Sequence, residues 1–306
     1  MSVRSSSTPH RRKIKSEKFE PYLLLTPAII IVVLLIIYPV IETFSLSTMS
    51  YALNKPDKTA FIGLENFKTM LSDEKFFSSL RVSVIYSVVV VAFQFVIGLA
   101  MALLMKNMKH LKGLYRASVF APWAVSGVLT AIIWSMMFNG SYGAINDLCV
   151  RFGLMEETIP WGTTRFTAFF MVIVASVWRG IPYFAISMLA SLTSIPDDIY
   201  ESGRIDGAGA FRLFFSITLP YLRESIILTT LLRLIWTFND VDIVYSLTAG
   251  GPNNATLTLP VYITRTAVEY LDFGYGSALT IGLFVILLTF ALIYMQFGKS
   301  NGDFSA

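Results

Sequence analysis

Charge is scarce in this sequence, and so are the residue types that most catalytic and metal sites require. Only 14% of the 306 residues are Asp, Glu, Lys or Arg, against roughly a quarter in soluble domains. The single cysteine, Cys149, excludes an internal disulfide. The two histidines, His10 and His110, lie in basic tracts, so a metal centre or an imidazole relay within the apolar segments is not expected. Gly298-Lys299-Ser300 resembles the end of a phosphate-binding loop, but Ile293 stands where the leading glycine belongs. The chain therefore lacks the means to hydrolyse ATP by itself. An intramembrane enzyme would need histidine, a Gly-x-Ser-x-Gly turn or paired carboxylates, and these are missing too. No catalytic residue, metal or cofactor is assigned to the chain.

What the sequence does contain is apolar length. Hydrophobic residues make up 55% of it, more than a soluble fold of this size can hide. Pro21–Ile41, Val82–Met105, Ala117–Asn146 and Phe273–Gly298 carry no charge, and each is long enough to cross the bilayer as a helix of about 20 residues. Phe166–Pro196 is interrupted only by Arg179, and Leu222–Ser246 carries a handful of charges. Ile243–Thr264 looks like a further span, but Gly250-Gly251-Pro252-Asn253-Asn254 would break its helix. The expected class is an all-α integral membrane protein with six transmembrane helices. A basic tail (1–20) precedes a membrane domain (21–298) that contains a polar loop (194–220), and a short tail (299–306) follows.

Lys and Arg set the orientation. The first span follows Arg4, Arg11, Arg12, Lys13, Lys15 and Lys18, and the second is followed by Lys106, Lys109, Lys112 and Arg116. With six spans these tracts share one side with Lys299 and the 194–220 loop. The positive-inside rule makes that side cytoplasmic, which places both termini in the cytoplasm. The net charge of +4 is thus topological, and no nucleic-acid partner is expected. The basic N-terminus has no cleavage pattern, and its apolar run is too long for a signal peptide, so it is read as a retained helix.

The polar loop reads as a short helix, a turn and the entry to another helix. Ser194 is placed to N-cap, Pro196 falls in the first turn, and Asp197 suits a capping box and the helix dipole. Gly207 and Gly209 permit a sharp turn. The spacing is more specific than a generic loop. Glu201, Gly207, Ile217, Leu219 and Pro220 fall in the register Glu-Ala-Ala, three residues, Gly, nine residues, Ile-x-Leu-Pro. This resembles the "EAA loop" of binding-protein-dependent ABC importer permeases, with Ser202 and Gly203 in place of the alanines. The resemblance implies that Tyr200, Glu201, Ser202, Gly203, Asp206 and Gly207 couple to a separate ATPase.

Polar residues inside the spans are costly and therefore informative. Span four carries Trp178-Arg179-Gly180-Ile181-Pro182-Tyr183, where glycine and proline are expected to break the helix and release main chain at midplane depth. Ser176, Arg179, Gly180 and Tyr183 share a face of it. In span three, Trp123, Gly127 and Thr130 recur at helical spacing, which suits packing as well as lining a path. In span five, Arg233, Trp236, Thr237 and Asp240 form a polar-aromatic face suited to a sugar. Arg179 is also readable as a structural ion-pair residue, and Arg233 as the partner of Asp240 or Asp242.

Leu247-Thr248-Ala249-Gly250-Gly251-Pro252 is similar to the "L-T-x-G-G-P" segment of carbohydrate-uptake permeases of the maltose and glycerol-3-phosphate type. Phe61-Ile62-Gly63-Leu64-Glu65-Asn66-Phe67 matches a segment usual in sugar-type members. That resemblance implies a substrate path built from Trp123, Gly127, Ser176, Arg179, Gly180, Tyr183, Arg233, Trp236, Thr237 and Asp240. It also implies a second homologous permease, a cytoplasmic ATPase dimer that binds ATP and Mg, an extracytoplasmic binding protein, and residence in the cytoplasmic membrane of a prokaryote. The function so implied is that of the membrane permease of an ATP-driven sugar importer. Two midplane arginines keep open an anionic substrate such as glycerol-3-phosphate or an acidic oligosaccharide. A secondary transporter without ATP is the rival class; it needs coupling carboxylates, to which Asp240 and Asp242 come closest.

Overall fold

The computed structural model describes residues 16–108, 110 and 112–300. Residues 1–15 and 301–306 of the expected tails (1–20 and 299–306), and Lys109 of the second basic tract, lie outside these. Span one is α1 (Ser16–Val32), a π turn at Val33–Ile37, and α2 (Tyr38–Ser47). Pro39 cannot donate to a carbonyl one turn back, and the chain widens there, with the Tyr38 amide bonding to the Val33 carbonyl. A small hairpin, β1 (Met49–Ser50) with β2 (Ala60–Phe61), leads to α3 (Glu65–Ser72). Asn66 ties this region together, its Nδ2 lying 2.9 Å from the carbonyls of both Ser47 and Met49.

Span two is α4 (Glu74–Asn107), which packs most extensively against span four, α8 (Arg165–Thr193). Between them span three departs from expectation. It is α5 (Lys112–Phe120), a 3-10 turn at Ala121–Ala124, and α6 (Gly127–Met137), and the two arms are bent by 100°. Pro122 lies in the turn, and Ser126 then starts a new helix by accepting a bond from the Leu129 amide at 3.3 Å. The break expected at Pro182 is absent: α8 runs through it as one helix, opened by a capping box between Thr164 and Thr167. A short α7 (Ala144–Arg151) lies in the connection from α6 to α8.

After α8 come α9 (Asp197–Ile205), α10 (Ala210–Leu213), a π turn at Phe214–Thr218, and span five as α11 (Leu219–Phe238). Span five ends at Phe238, and α12 (Asp242–Thr248) starts after a three-residue gap. Asp240 therefore lies beyond the helix rather than on its face. The Gly250–Asn254 segment breaks the chain as expected, with Ala249, Gly250, Asn253 and Asn254 all at positive φ. The stretch that follows is buried from Ala255 to Tyr262, and includes most of α13 (Leu259–Thr264). The Leu259 amide donates to Ser83 Oγ at 2.7 Å, joining this return segment to span two. Span six is α14 (Phe273–Ser300).

Four stretches are long and apolar enough to cross a membrane: Leu24–Ser47, Glu74–Asn107, Arg165–Thr193 and Phe273–Gln296; the bent pair Gly113–Ala124 with Gly127–Met137 makes a fifth. Leu219–Phe238 has the length of a sixth, but Arg223, Glu224 and Arg233 lower its hydropathy. No residue in the most apolar part of span one is buried, and its large apolar side chains stay exposed, as a surface facing lipid would be. At the end of the bundle remote from α9, Asp73 caps α4 through the Lys75 amide and accepts from Tyr262 Oη at 2.6 Å and Tyr275 Oη at 2.7 Å. Partial burial raises the proton affinity of Asp73, but the tyrosine and amide donors outweigh it and hold the carboxyl below its usual value. Burial and the same carboxylate push the Tyr262 phenol up.

Candidate functional site: a cleft between spans three, four and five

The break in span three leaves the Val125 carbonyl outside helical pairing, and Arg179 reaches it from span four, Nε to oxygen 3.3 Å. The same guanidinium lies 3.7 Å from Asp240 Oδ2. One arginine thus joins both helix interruptions. Around this junction a cleft of about 230 Å³ is lined by Trp123, Arg179, Arg233, Trp236, Thr237 and Asp240. Trp123 and Trp236 are about half exposed, 54% and 50%, so each indole offers a face to the opening. Thr237 borders the cleft, with its Oγ1 buried and without a hydrogen-bond partner. Tyr183 packs edge-on against Trp236, with ring centroids 5.3 Å apart.

Behind the wall runs a buried polar network. Arg233 Nε donates to Gln94 Oε1 at 2.7 Å, and Gln94 Nε2 donates to the Ser176 carbonyl at 2.7 Å. Ser176 Oγ and Tyr86 Oη share a bond of 2.7 Å. Gly180 is the gap that admits this network, because a β-carbon there would collide with Gln94 Nε2 and the Arg233 guanidinium.

At the far end of the bundle, α9 sits where span two finishes. Lys106 Nζ donates to the Leu192 carbonyl at 3.2 Å and lies 4.3 Å from the centre of the Tyr200 ring. Tyr200 Oη bonds Thr218 Oγ1 at 3.0 Å. Gly203 faces Leu213 and Ile217 so closely that a β-carbon would crowd their methyl groups. Gly207 takes φ +78° after the helix, the left-handed turn that favours glycine. Glu201, Ser202 and Asp206 are at or near the surface of this loop. Ile205 and Phe211 are more exposed still, at 86% and 84%.

The family model for the binding-protein-dependent transport system inner membrane component matches residues 94–297. The chain belongs to that family. The permease is 37% identical to the trehalose/maltose transport system permease protein MalF of Thermococcus litoralis, over 92% of this chain and 94% of that protein. It is 35% identical to the sulfoquinovosyl glycerol transport system permease protein SmoG of Agrobacterium fabrum, covering 90% and 88% of the two chains. Two solved structures of a bacterial alginate ABC transporter, one of them in complex with alginate pentasaccharide-bound periplasmic protein, share the fold. Their TM-scores are 0.79 and 0.81 over 94% of this chain, at 20% and 21% identity. Membership decides for a binding-protein-dependent transport component over an ion-driven carrier or an enzyme, and it implies an ATPase and a binding protein as partners.

The permease brings six of the ten residues expected along the path into the cleft lining. Tyr183 stands just behind them, and Ser176 and Gly180 face span two instead. Gly127 packs against Asp242. The shared face of Trp123, Gly127 and Thr130 does not exist: Trp123 precedes the helix break, while Gly127 and Thr130 are buried beyond it. The proposed pairing of Arg233 with Asp240 or Asp242 is likewise replaced, since Asp240 pairs with Arg179. In the polar loop, Ser194 ends α8 rather than starting α9, and its hydroxyl bonds back to the Ser191 carbonyl. Pro196 takes the cap position. Gly209 is extended with open space where a β-carbon would go, so Gly207 alone makes the turn. Gln94 escaped the sequence reading, although it is the one amide in the run Val82–Met105.

Proposed function

We propose that this permease forms one half of the translocation path of an ATP-driven carbohydrate importer, and that the cleft is part of the wall against which the sugar passes. A second homologous permease completes the path. The observation that carries the reading is the cleft itself: two half-exposed indoles and a guanidinium–carboxylate pair line one opening beside the breaks in spans three and five. Indoles stack on sugar C–H faces, and the polar groups exchange bonds with hydroxyls. The relatives named for trehalose/maltose and sulfoquinovosyl glycerol support a sugar-like cargo.

The loop from Asp197 to Pro220 is the seat for the ATPase, which supplies the ATP and Mg sites that this chain lacks. Ile205 and Phe211, apolar and projecting, are the surfaces a cleft in that partner would cover. Orientation follows from charge: Lys106 packs against Tyr200, so the basic connection after span two and the Glu201 loop occupy one end. We assign that end, and both termini, to the cytoplasm of a prokaryotic cell. Closure of the ATPase dimer then moves α9 as a rigid element and tilts the attached spans between inward- and outward-facing states.

The test is transport by the reconstituted complex with its cognate binding protein. Trp236→Ala is expected to lower uptake at least tenfold while binding-protein-stimulated ATP hydrolysis persists. Glu201→Arg is expected to abolish both. Unchanged uptake in Trp236→Ala would remove the cleft from the path, and unchanged uptake in Glu201→Arg would remove the loop from coupling.

A further inference from the structure

We propose that this wall of the path is built for a cargo bearing an anionic group, and that Gln94 is the positioning residue that keeps the charge of Arg233 available to it. The proposal rests on reading the cleft as the substrate path.

Three ionisable side chains line the cleft, and two of them cancel: Arg179 and Asp240 lie 3.7 Å apart. Arg233 makes no ion pair among the described residues. Its bond partner is the neutral amide of Gln94. Asp242, the other nearby carboxylate, packs against Gly127 outside the lining and pairs with neither arginine. The wall therefore carries a net positive charge, two guanidiniums to one carboxylate, at membrane depth, an expensive arrangement that suits a binding group.

The amide is held in one sense. The Ser176 carbonyl can only accept, so the NH₂ of Gln94 must face it and the Oε1 must face Arg233. Gln94 is fully buried, and its carbon–oxygen dipole aligns the guanidinium without neutralising it. A glutamate of nearly the same shape would cancel the charge. Gly180 leaves the room for both groups. The chemistry fits a carboxylate, sulfonate or phosphate on the cargo, which a guanidinium binds through charge-assisted bonds.

The experiment compares paired probes in the reconstituted complex, each delivered by the cognate binding protein: a disaccharide ending in glucuronic acid against its neutral glucose counterpart, and glycerol 3-phosphate against glycerol. The wild type is expected to move the acidic member of at least one pair about tenfold faster, the scale of a charge-assisted bond. Gln94→Glu and Arg233→Gln should each erase that preference, with assembly of the complex retained on co-purification. Arg233→Lys should keep the preference at a raised KM. Equal or faster transport of both neutral members by the wild type would overturn the proposal, as would variants that slow both members of a pair alike. Loss of all uptake in Trp236→Ala with no acid preference in the wild type overturns only this inference. Full uptake in Trp236→Ala overturns the underlying site.

Discussion

Arg179 of the unbroken span four lies 3.7 Å from Asp240, beside the breaks in spans three and five. Neither interruption could stand easily alone in the bilayer, since each leaves polar groups without helical partners. The arginine also accepts the task of satisfying Val125, so the two breaks are braced by one side chain. Removing either charge leaves its partner partly buried and unpaired. Arg179→Gln and Asp240→Asn should each lower the melting temperature of the purified complex, and the double variant should lose less than the sum. The expected coupling is about 1–3 kcal/mol; additive losses would show that the pair is incidental.

Two glycines in one loop are expected to differ. Gly207 holds φ +78°, where a β-carbon costs about 1–2 kcal/mol. Gly209 is extended with space around it. Gly207→Ala should weaken stimulation of ATP hydrolysis by the loaded binding protein, and Gly209→Ala should leave it within error. Equal effects would mean that loop flexibility, not the turn, governs coupling.

Asp73 gives a pH dependence of defined sign. Its carboxyl ionises more readily folded than unfolded, where its value is 3.8. Its contribution is therefore complete above that value and is lost as pH falls through the lower folded value. Asp73→Ala removes a cap and the acceptor of Tyr262 and Tyr275. It should destabilise by about 1–2 kcal/mol at neutral pH, with the deficit shrinking in acid. A deficit independent of pH would assign the loss to packing.

Asn66 bridges the end of span one to the hairpin through two carbonyls. Asn66→Ala leaves both without that donor and should cost about 1–2 kcal/mol in thermal unfolding. Asn66→Asp, which cannot donate, should be no better; full stability in either variant would dismiss the bridge.

The sequence announced the cleft because indoles, guanidinium and carboxylate are rare and expensive in apolar helices. It announced the polar loop because spacing from Glu201 to Pro220 is a local property. What escaped was non-local. Arg233 and Gln94 are 139 positions apart, and no periodicity links them. The helix breaks at Pro122 and not at Pro182. Pro182 is absorbed by a long helix buried against span two, whereas Pro122 is followed by Ser126, which can open a new helix at once. Asp240 has helical spacing from Arg233, yet the helix stops two residues earlier, and only the fold reveals that its carboxylate belongs to the cleft by way of a bend.

The segment from Ala255 to Tyr262 is sealed inside the bundle, with Leu259 bonded to Ser83. Epitope tags, protease sites or reporter fusions placed there would wedge the helices open instead of marking a surface. The accessible places for such probes at that end are the Pro56–Lys58 bend and the stretch after Arg151, where side chains already meet the surroundings.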